Sequence, residues 1–368
     1  MLLLFMLEYF YMVKHLYIHV PFCKSICAYC DFCHFGFQKE RVDQWLDEFE
    51  NEIAKHDLRA IETVYLGGGT PTCLEYVQLE RLLKIIKEYV ANPLEYTIEI
   101  NPETLDLPKA KLLQRYRVNR ASIGLQSSNE QELRALGRRH SFADVQRTCG
   151  YLNEAGIDNY SLDIMYSIPH ETMSSLIKTI DDALSLKPKH LSLYSLQIEP
   201  GTLFYSKGVT GLDEDLEADM YEYIVKRLKE EGYVHYEISN FAIEGFQSRH
   251  NLGYWEYNDF IGLSLGASGK ENHRRYTNTR SFKQYFNHQY RDEVIDLSLE
   301  DEMFEEIMMS LRTVYGVDLA RFEKRYGQSF YDAFKEPYAK HKNDFNIIDN
   351  HLIVKNVELL NSLLVDFL

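Results

Sequence analysis

Short β-branched or aromatic runs alternate with longer amphipathic stretches from residue 16 to about 196. The runs are LYIHV (16–20), TVYL (63–66), YTIEI (96–100), RASIGL (120–125), YSLDIMY (160–166) and HLSLYSL (190–196), each of strand length. Apolar residues at helical spacing lie between them near 40–55, 75–90, 105–115, 129–136 with 142–155, and 171–185. Six strand-then-helix units in succession predict a parallel sheet covered by helices. Without a G-x-G-x-x-G fingerprint, the α/β pattern fits an open, partial (β/α)6 barrel better than a dinucleotide-binding sheet.

After residue 200 the pattern changes. EDLEADMYEYIVKRLKEEG (214–232) is an amphipathic helix ended by Gly232, YVHYEISNFA follows, and a polar, Gly-rich and aromatic stretch runs from 244 to 280. A helical section begins at about 299 and closes with two strand-like runs, NIIDN and HLIVKN, and a terminal helix. The expected organisation is a non-core extension at 1–11, the barrel at 12–205, a barrel extension at 206–298, and a small helix-rich, winged-helix-like domain at 299–368. Winged domains often bind DNA, but residues 299–368 carry 13 acidic against 8 basic side chains, which points to packing or partner docking.

Composition narrows the class. Across 368 residues, 45% hydrophobic and 26% charged residues describe a soluble globular protein, and a formal net charge of −16 argues against nucleic acid as a partner. The apolar start MLLLFMLEYFYM has no basic n-region, carries Glu8 and lacks a cleavage site, so it reads as an upstream start with Met12 near the true beginning. With no 18-residue apolar run either, a cytoplasmic protein with no integral membrane segment is expected. In a reducing compartment a tight cysteine cluster binds metal more often than it forms disulfides.

That cluster is CKSICAYCDFC (23–33). Four thiolates can close a zinc site; three can hold a cubane [4Fe–4S] cluster and leave its fourth iron open to a small chelating molecule. Cys23, Cys27 and Cys30, spaced C-x3-C-x2-C, follow the first strand and so lie at the C-terminal mouth of the barrel. At the end of the second strand, Gly67, Gly68 and Gly69 in YLGGGTPT expose backbone N–H groups to an anionic ligand, with no Gly-Lys-Ser/Thr of a Walker loop. Glu99, Gln126 and Asp163 end the next three strands, and Arg138 or its neighbour Arg139 offers a cation to a ligand carboxylate. Cys73 and Cys149, in helical surroundings, read as packed thiols.

The C-x3-C-x2-C loop followed by GGGTP is the signature of the radical S-adenosylmethionine (SAM) family. In that family SAM chelates the open iron and is cleaved on reduction. With IEINPE, SIGLQS, DIMYSIPHET, LSLYSLQIEPGT, YEISNFA, HNLGYW and LRTVYGVDL added, the chain resembles the oxygen-independent coproporphyrinogen III oxidase-like family over residues 17 to about 320, and within it the heme chaperones of the HemW type. The resemblance implies that Cys23, Cys27 and Cys30 hold the cluster. It further implies that Tyr17, Gly68, Gly69, Thr70 and Glu99 contact SAM, that Tyr29 stands beside the cluster, and that Gln126, Arg138 and Asp163 serve a second SAM site. Gln197 stands where the oxidases have a small residue. True oxidases run C-x3-C-x2-C-x-C, whereas here position 32 is Phe and Cys33 comes one place later.

HNLGYW (250–255) matches the chaperone branch, where its histidine is implicated in heme binding. Two readings of His250 stand side by side: an axial ligand to heme iron, or a hydrogen-bonded structural histidine. Tyr254 and Trp255 could lie against a porphyrin, and ENHRRY (271–276) offers cations for propionates. The expectation is a protein that binds the cluster, SAM and heme and passes heme to an acceptor protein. Radical decarboxylation of coproporphyrinogen III, or another radical SAM reaction on a tetrapyrrole, is the alternative; no catalytic residue is assigned.

Overall fold

The computed structural model describes residues 13–368; the extension expected at 1–11 and a start at Met12 lie outside the described residues. KHLYIHV opens the fold as His15–Val20 (β1), and the five units that follow carry Thr63–Gly68 (β2), Glu95–Ile100 (β3), Arg120–Gln126 (β4), Tyr160–Tyr166 (β5) and His190–Ser195 (β6). Between them run Lys39–Ile53 (α1), Tyr76–Tyr89 (α2), Leu107–Arg115 (α3), Glu130–Ala135 (α4), Phe142–Ala155 (α5) and Met173–Ser185 (α6). Local chemistry marks the ends. Ser141 and Asp144 form a capping box at α5, Gly156 closes that helix in the left-handed region, and Asp106 caps α3 by accepting from the Lys109 N–H.

The six strands pair in chain order and all in parallel. Sequential order builds a barrel wall, whereas a dinucleotide-binding sheet reverses direction at its middle. The wall does not close. Beyond β6 come Glu214–Glu230 (α7), Val234–Glu237 (β7), Asn240–Ala242 (β8), Arg249–Trp255 (α8) and Phe260–Leu263 (β9). β9 pairs in parallel with the free edge of β1, and β8 antiparallel with that of β6. Ser268–Glu271 (β10), Arg274–Asn278 (β11) and Arg291–Asp296 (β12) extend the β9 side as an antiparallel meander. These strands lie in and beyond the stretch read only as polar and Gly-rich. β12, the edge strand of this side, is largely exposed and carries charge where a buried strand carries an apolar alternation.

Leu299–Ser310 (α9) and Leu319–Tyr326 (α10) pack with a three-stranded sheet of Val317–Asp318 (β13), Phe345–Ile348 (β14) and His351–Val354 (β15) around Ile307, Phe322, Phe330 and Leu352. Asp349 and Asn350, both at positive φ, make the tight turn of the β14–β15 hairpin, which is the expected wing. Among the described residues no helix is long and apolar enough to cross a membrane.

Along β1 to β6 the outward positions, such as Leu16, Ile18, Val64, Ile98, Ile123 and Leu162, are fully buried against the helices. The inward positions are polar. Register aligns Tyr17 with Tyr65, Glu99 with Ser122, and Asp163 with Ser192 across neighbouring strands. A barrel packed for stability fills its interior with Val, Ile and Leu. Hydroxyls, carboxylates and imidazoles here line a chamber.

Candidate cluster and cofactor site at the barrel mouth

Past β1 the chain turns at Pro21, and Phe22–Cys23 pairs with Phe35–Gly36, which ties the base of the cysteine loop. The Phe37 N–H donates to the Cys23 carbonyl at 2.9 Å, and the Ala28 N–H to the Leu136 carbonyl at 3.0 Å, anchoring the loop to the end of α4. Cys23 is buried; Cys27 and Cys30 are half-buried. Burial raises the Cys23 thiol and takes Cys30 up to about 12, and the neighbouring Cys27 adds to both. Thiols held this way become ligands only when a metal displaces the proton.

Cys33 stands apart. It is buried in the main core, a Cβ on Gly266 would come within 2.3 Å of its own Cβ, and its carbonyl accepts from His19 Nε2 at 2.7 Å. Burial takes its thiol to about 11, and the one charge that counters this is Arg280, not another cysteine. Among the described residues no three His, Cys, Asp or Glu side chains gather as a single-ion site requires. Cys30 feels Cys27 and Cys23, and Cys23 feels Cys27, whereas no cysteine acts on Cys33; three thiols on one loop are a donor set that fits a [4Fe–4S] cluster with one open iron.

The GGGT loop closes over this loop backbone to backbone. The Gly69 N–H donates to the Val20 carbonyl at 2.9 Å, the Thr70 N–H to the Phe22 carbonyl at 2.8 Å, and Thr70 Oγ1 to Cys23 Sγ at 3.7 Å. Gly68 has φ +105, and a Cβ on it would strike the His19 ring at 2.5 Å. Glu99 accepts from the Tyr65 hydroxyl at 2.9 Å and from the Gly68 N–H at 3.1 Å. Burial lifts the Glu99 carboxyl to about 7, with the like charge of Asp163 adding to it. Asp163 accepts from the Ser122 hydroxyl at 2.8 Å and is likewise raised by burial. Two carboxylates facing one chamber leave negative charge that a cationic ligand would neutralise.

Arg138 is the arginine that turns inward; Arg139 is exposed. Its Nη2 donates to the Tyr29 hydroxyl at 2.7 Å and its Nη1 to Asn101 Oδ1 at 2.7 Å, while Asn101 Nδ2 donates to Thr70 Oγ1 at 3.1 Å. One network thus joins the cysteine loop, the GGGT loop and the end of β3. Gln126 sits buried at φ +63 where the β4–β5 register slips. That strained backbone brings its amide to Gly124, beside Arg138. Tyr17 faces the same chamber, its hydroxyl 2.9 Å from His19 Nδ1. Gln197 is exposed beyond β6. Cys73 and Cys149 are packed core thiols, as expected.

The structure does not place His250 for iron. It is 0% exposed, Nδ1 lies 2.8 Å from Thr63 Oγ1, Nε2 lies 2.7 Å from the Tyr254 hydroxyl, and the ring stacks on Tyr65. Both nitrogens are within hydrogen-bond distance of a partner at the floor of the barrel. Tyr254 is committed to the same contact and to Phe260. The arginines of ENHRRY are also spoken for: Arg274 pairs with Asp296 at 2.5 Å and Arg275 with Glu305 at 3.2 Å.

Sequence reasoning missed Tyr65, Asn101 and Ser122. Tyr65 stands two residues before Gly67 and therefore on the same strand face, and Ser122 has the same parity with Gly124. Asn101 carried no signal beyond its place after β3.

The model of the radical SAM superfamily matches residues 17–183, and that of the HemN C-terminal domain matches 297–345. Heme chaperone HemW of Lactococcus lactis subsp. lactis (strain IL1403) is 35% identical over 96% of this chain and 96% of its own. Heme chaperone HemW of Bacillus subtilis (strain 168) is 37% identical over 86% of this chain and 88% of its own. Among solved structures, coproporphyrinogen III oxidase (HemN) from Escherichia coli superposes with a TM-score of 0.85 at 22% identity, covering 97% of this chain and 90% of that one, a likeness of fold.

Proposed function

The chain belongs to the radical SAM superfamily and, within it, to the family of the HemW heme chaperones, and from that premise we propose that it is a cytoplasmic protein that takes up heme and hands it to an acceptor protein. In this reading Cys23, Cys27 and Cys30 hold a [4Fe–4S] cluster, and SAM lies beside it against Gly68, Gly69, Thr70, Glu99 and Tyr17. A reduced cluster with SAM bound supplies one-electron chemistry. The protein's own part is positional. Glu99, held by Tyr65 and the Gly68 N–H, presents a carboxylate to a cationic group, and Arg138, fixed by Tyr29 and Asn101, presents a guanidinium to an anionic one. Gln126 and Asp163 continue the polar lining on the far side, where a second SAM would sit.

The observation that carries the chaperone reading is likeness along almost the whole chain to HemW chaperones, together with a Cys33 that stands apart from the other three thiols. The test is anaerobic reconstitution of the full chain, hemin titration, and transfer to heme-free acceptor candidates followed by their absorption. Hemin binding and release to an acceptor are expected. Sustained protoporphyrinogen production from coproporphyrinogen III, with SAM and reductant present, would replace this reading with the oxidase.

A further inference from the structure

We infer that Arg120, on the inner face of β4, anchors the carboxylate of a ligand that enters the barrel, at a subsite below Glu99. Register places Tyr17, Tyr65, Thr97 and Arg120 in one row across β1 to β4, one step deeper than the row of Glu99 and Ser122. Tyr17 and Tyr65 are only half-buried, so the chamber reaches down to this row. Arg120 is 2% exposed, and its guanidinium makes no hydrogen bond or ion pair among the described residues. Its Nε is enclosed without an acceptor, as is the Thr97 hydroxyl, whereas Nη1 and Nη2 are not enclosed and face the chamber. Arginine is almost never buried without a partner, because an unmatched charge away from water is costly.

The carboxylates of the barrel interior are given to other donors. Glu95 accepts the backbone N–H groups of Arg249 and His250 at 2.9 Å each, and Glu99 the Tyr65 hydroxyl and the Gly68 N–H. Asp163 accepts from the hydroxyls of Ser122 at 2.8 Å and Ser161 at 3.1 Å. The imidazoles nearby offer no charge to Arg120: burial holds His190 and His250 well below their ordinary value, and the guanidinium adds to both shifts. A planar fork of N–H donors with no acceptor matches the two oxygens of a carboxylate. A phosphate dianion would bring a second charge against Glu99 and Asp163 with one cation to offset it. The same carboxylate chemistry is carried by the propionate arm of a tetrapyrrole and by the aminoacyl end of SAM. The propionate source rests on the heme reading above; the subsite itself does not.

The test takes the full, cluster-reconstituted chain with sodium propionate as the probe and sodium chloride at equal ionic strength as the reference, read by thermal melting. Wild type is expected to rise saturably in melting temperature beyond the chloride reference, as a ligand of the folded state requires. Arg120→Met keeps the length and removes the charge; it is expected to melt no lower than wild type without ligand and to lose the propionate response. A purely structural arginine would do the reverse, melting lower when replaced and leaving the response intact. Arg120→Lys, a charge without the fork, is expected to bind propionate at least fivefold more weakly. A wild type that does not respond, or a folded Arg120→Met that responds fully, overturns the subsite. Should the Met variant not fold, an undiminished response in Arg120→Lys overturns it equally. Titration of SAM and of hemin into wild type and Arg120→Met then identifies the source: affinity is expected to fall at least tenfold for the ligand whose carboxylate reaches Arg120, and unchanged affinity for both overturns the ligand role. A wild-type chain that takes no hemin overturns the heme reading and leaves the subsite to the propionate and SAM measurements.

Discussion

Cys33 and Glu99 show how much a side chain's role depends on its surroundings. Cys33 is chemically the equal of Cys30, but it packs on Gly266 and the core, whereas Cys30 shares the electrostatics of Cys23 and Cys27. Cys33→Ser is therefore expected to keep full iron and sulfide content after anaerobic reconstitution, at a stability cost of about 1–2 kcal/mol for a hydroxyl in an apolar site. Cys30→Ser is expected to lose the cluster; iron analysis of the two variants side by side decides. Glu99 makes a pH prediction. Its carboxyl lies near 7 in the fold against an ordinary 4.5, so the folded chain holds that proton more tightly than the unfolded one. Its contribution to stability is whole below about pH 4.5 and is lost as pH rises through about 7. Glu99→Gln removes this dependence, so in urea titrations of the metal-free chain it should gain on the order of 2–3 kcal/mol over wild type between pH 4.5 and pH 8. An equal difference at both pH values would contradict the assignment.

The strand-end loops join functions that the strands alone keep separate. β1 runs into the cysteine loop and β2 into GGGT, and the two are locked by backbone bonds from Gly69 and Thr70 to Val20 and Phe22. A Cβ on Gly69 would meet the Phe22 carbonyl oxygen at 2.6 Å and the Val20 oxygen at 2.8 Å, all main-chain atoms with no rotamer to give way. Gly69→Ala is expected to lower stability by about 1–3 kcal/mol in denaturant titrations and to loosen iron retention, because the displaced backbone leads directly to Cys23. α8 plays the corresponding part at the other end, held by Glu95 on its first N–H groups and by Tyr254 on His250.

At the scale of the molecule, two hydrophobic cores meet across a set of buried charges. Glu306 of α9, 0% exposed, accepts from Arg325 at 2.5 Å and from the Tyr326 hydroxyl at 2.9 Å, and Arg325 also donates to the Tyr257 carbonyl of the sheet extension. The Tyr257 hydroxyl in turn donates to Glu305 at 2.6 Å. Removing one partner of a buried pair leaves the other charged and unmatched. Glu306→Ala is expected to cost about 3–5 kcal/mol and to separate the melting of residues 299–368 from that of the barrel in calorimetry. A single unshifted transition would show that the junction carries no such strain.

What the sequence by itself determined was periodic or contiguous. The six strands and their helices announce themselves because a strand of the wall buries its outward face and its covering helix buries one stripe, so apolar spacing repeats at 2 and 3.6. The C-x3-C-x2-C cysteines, GGGT and the polar strand ends were legible because each lies within a few residues of a strand terminus. Tertiary structure decided whatever depends on neighbours remote in the chain. It separated Cys33 from the thiols beside it by seating it on Gly266, and it chose Arg138 over Arg139 through Tyr29 and Asn101. It set both nitrogens of His250 against Thr63 and Tyr254. A side chain's chemistry is written in its residue type, but which of its atoms remain free is settled only when residues 187 positions apart, as Thr63 and His250 are, come within hydrogen-bond distance.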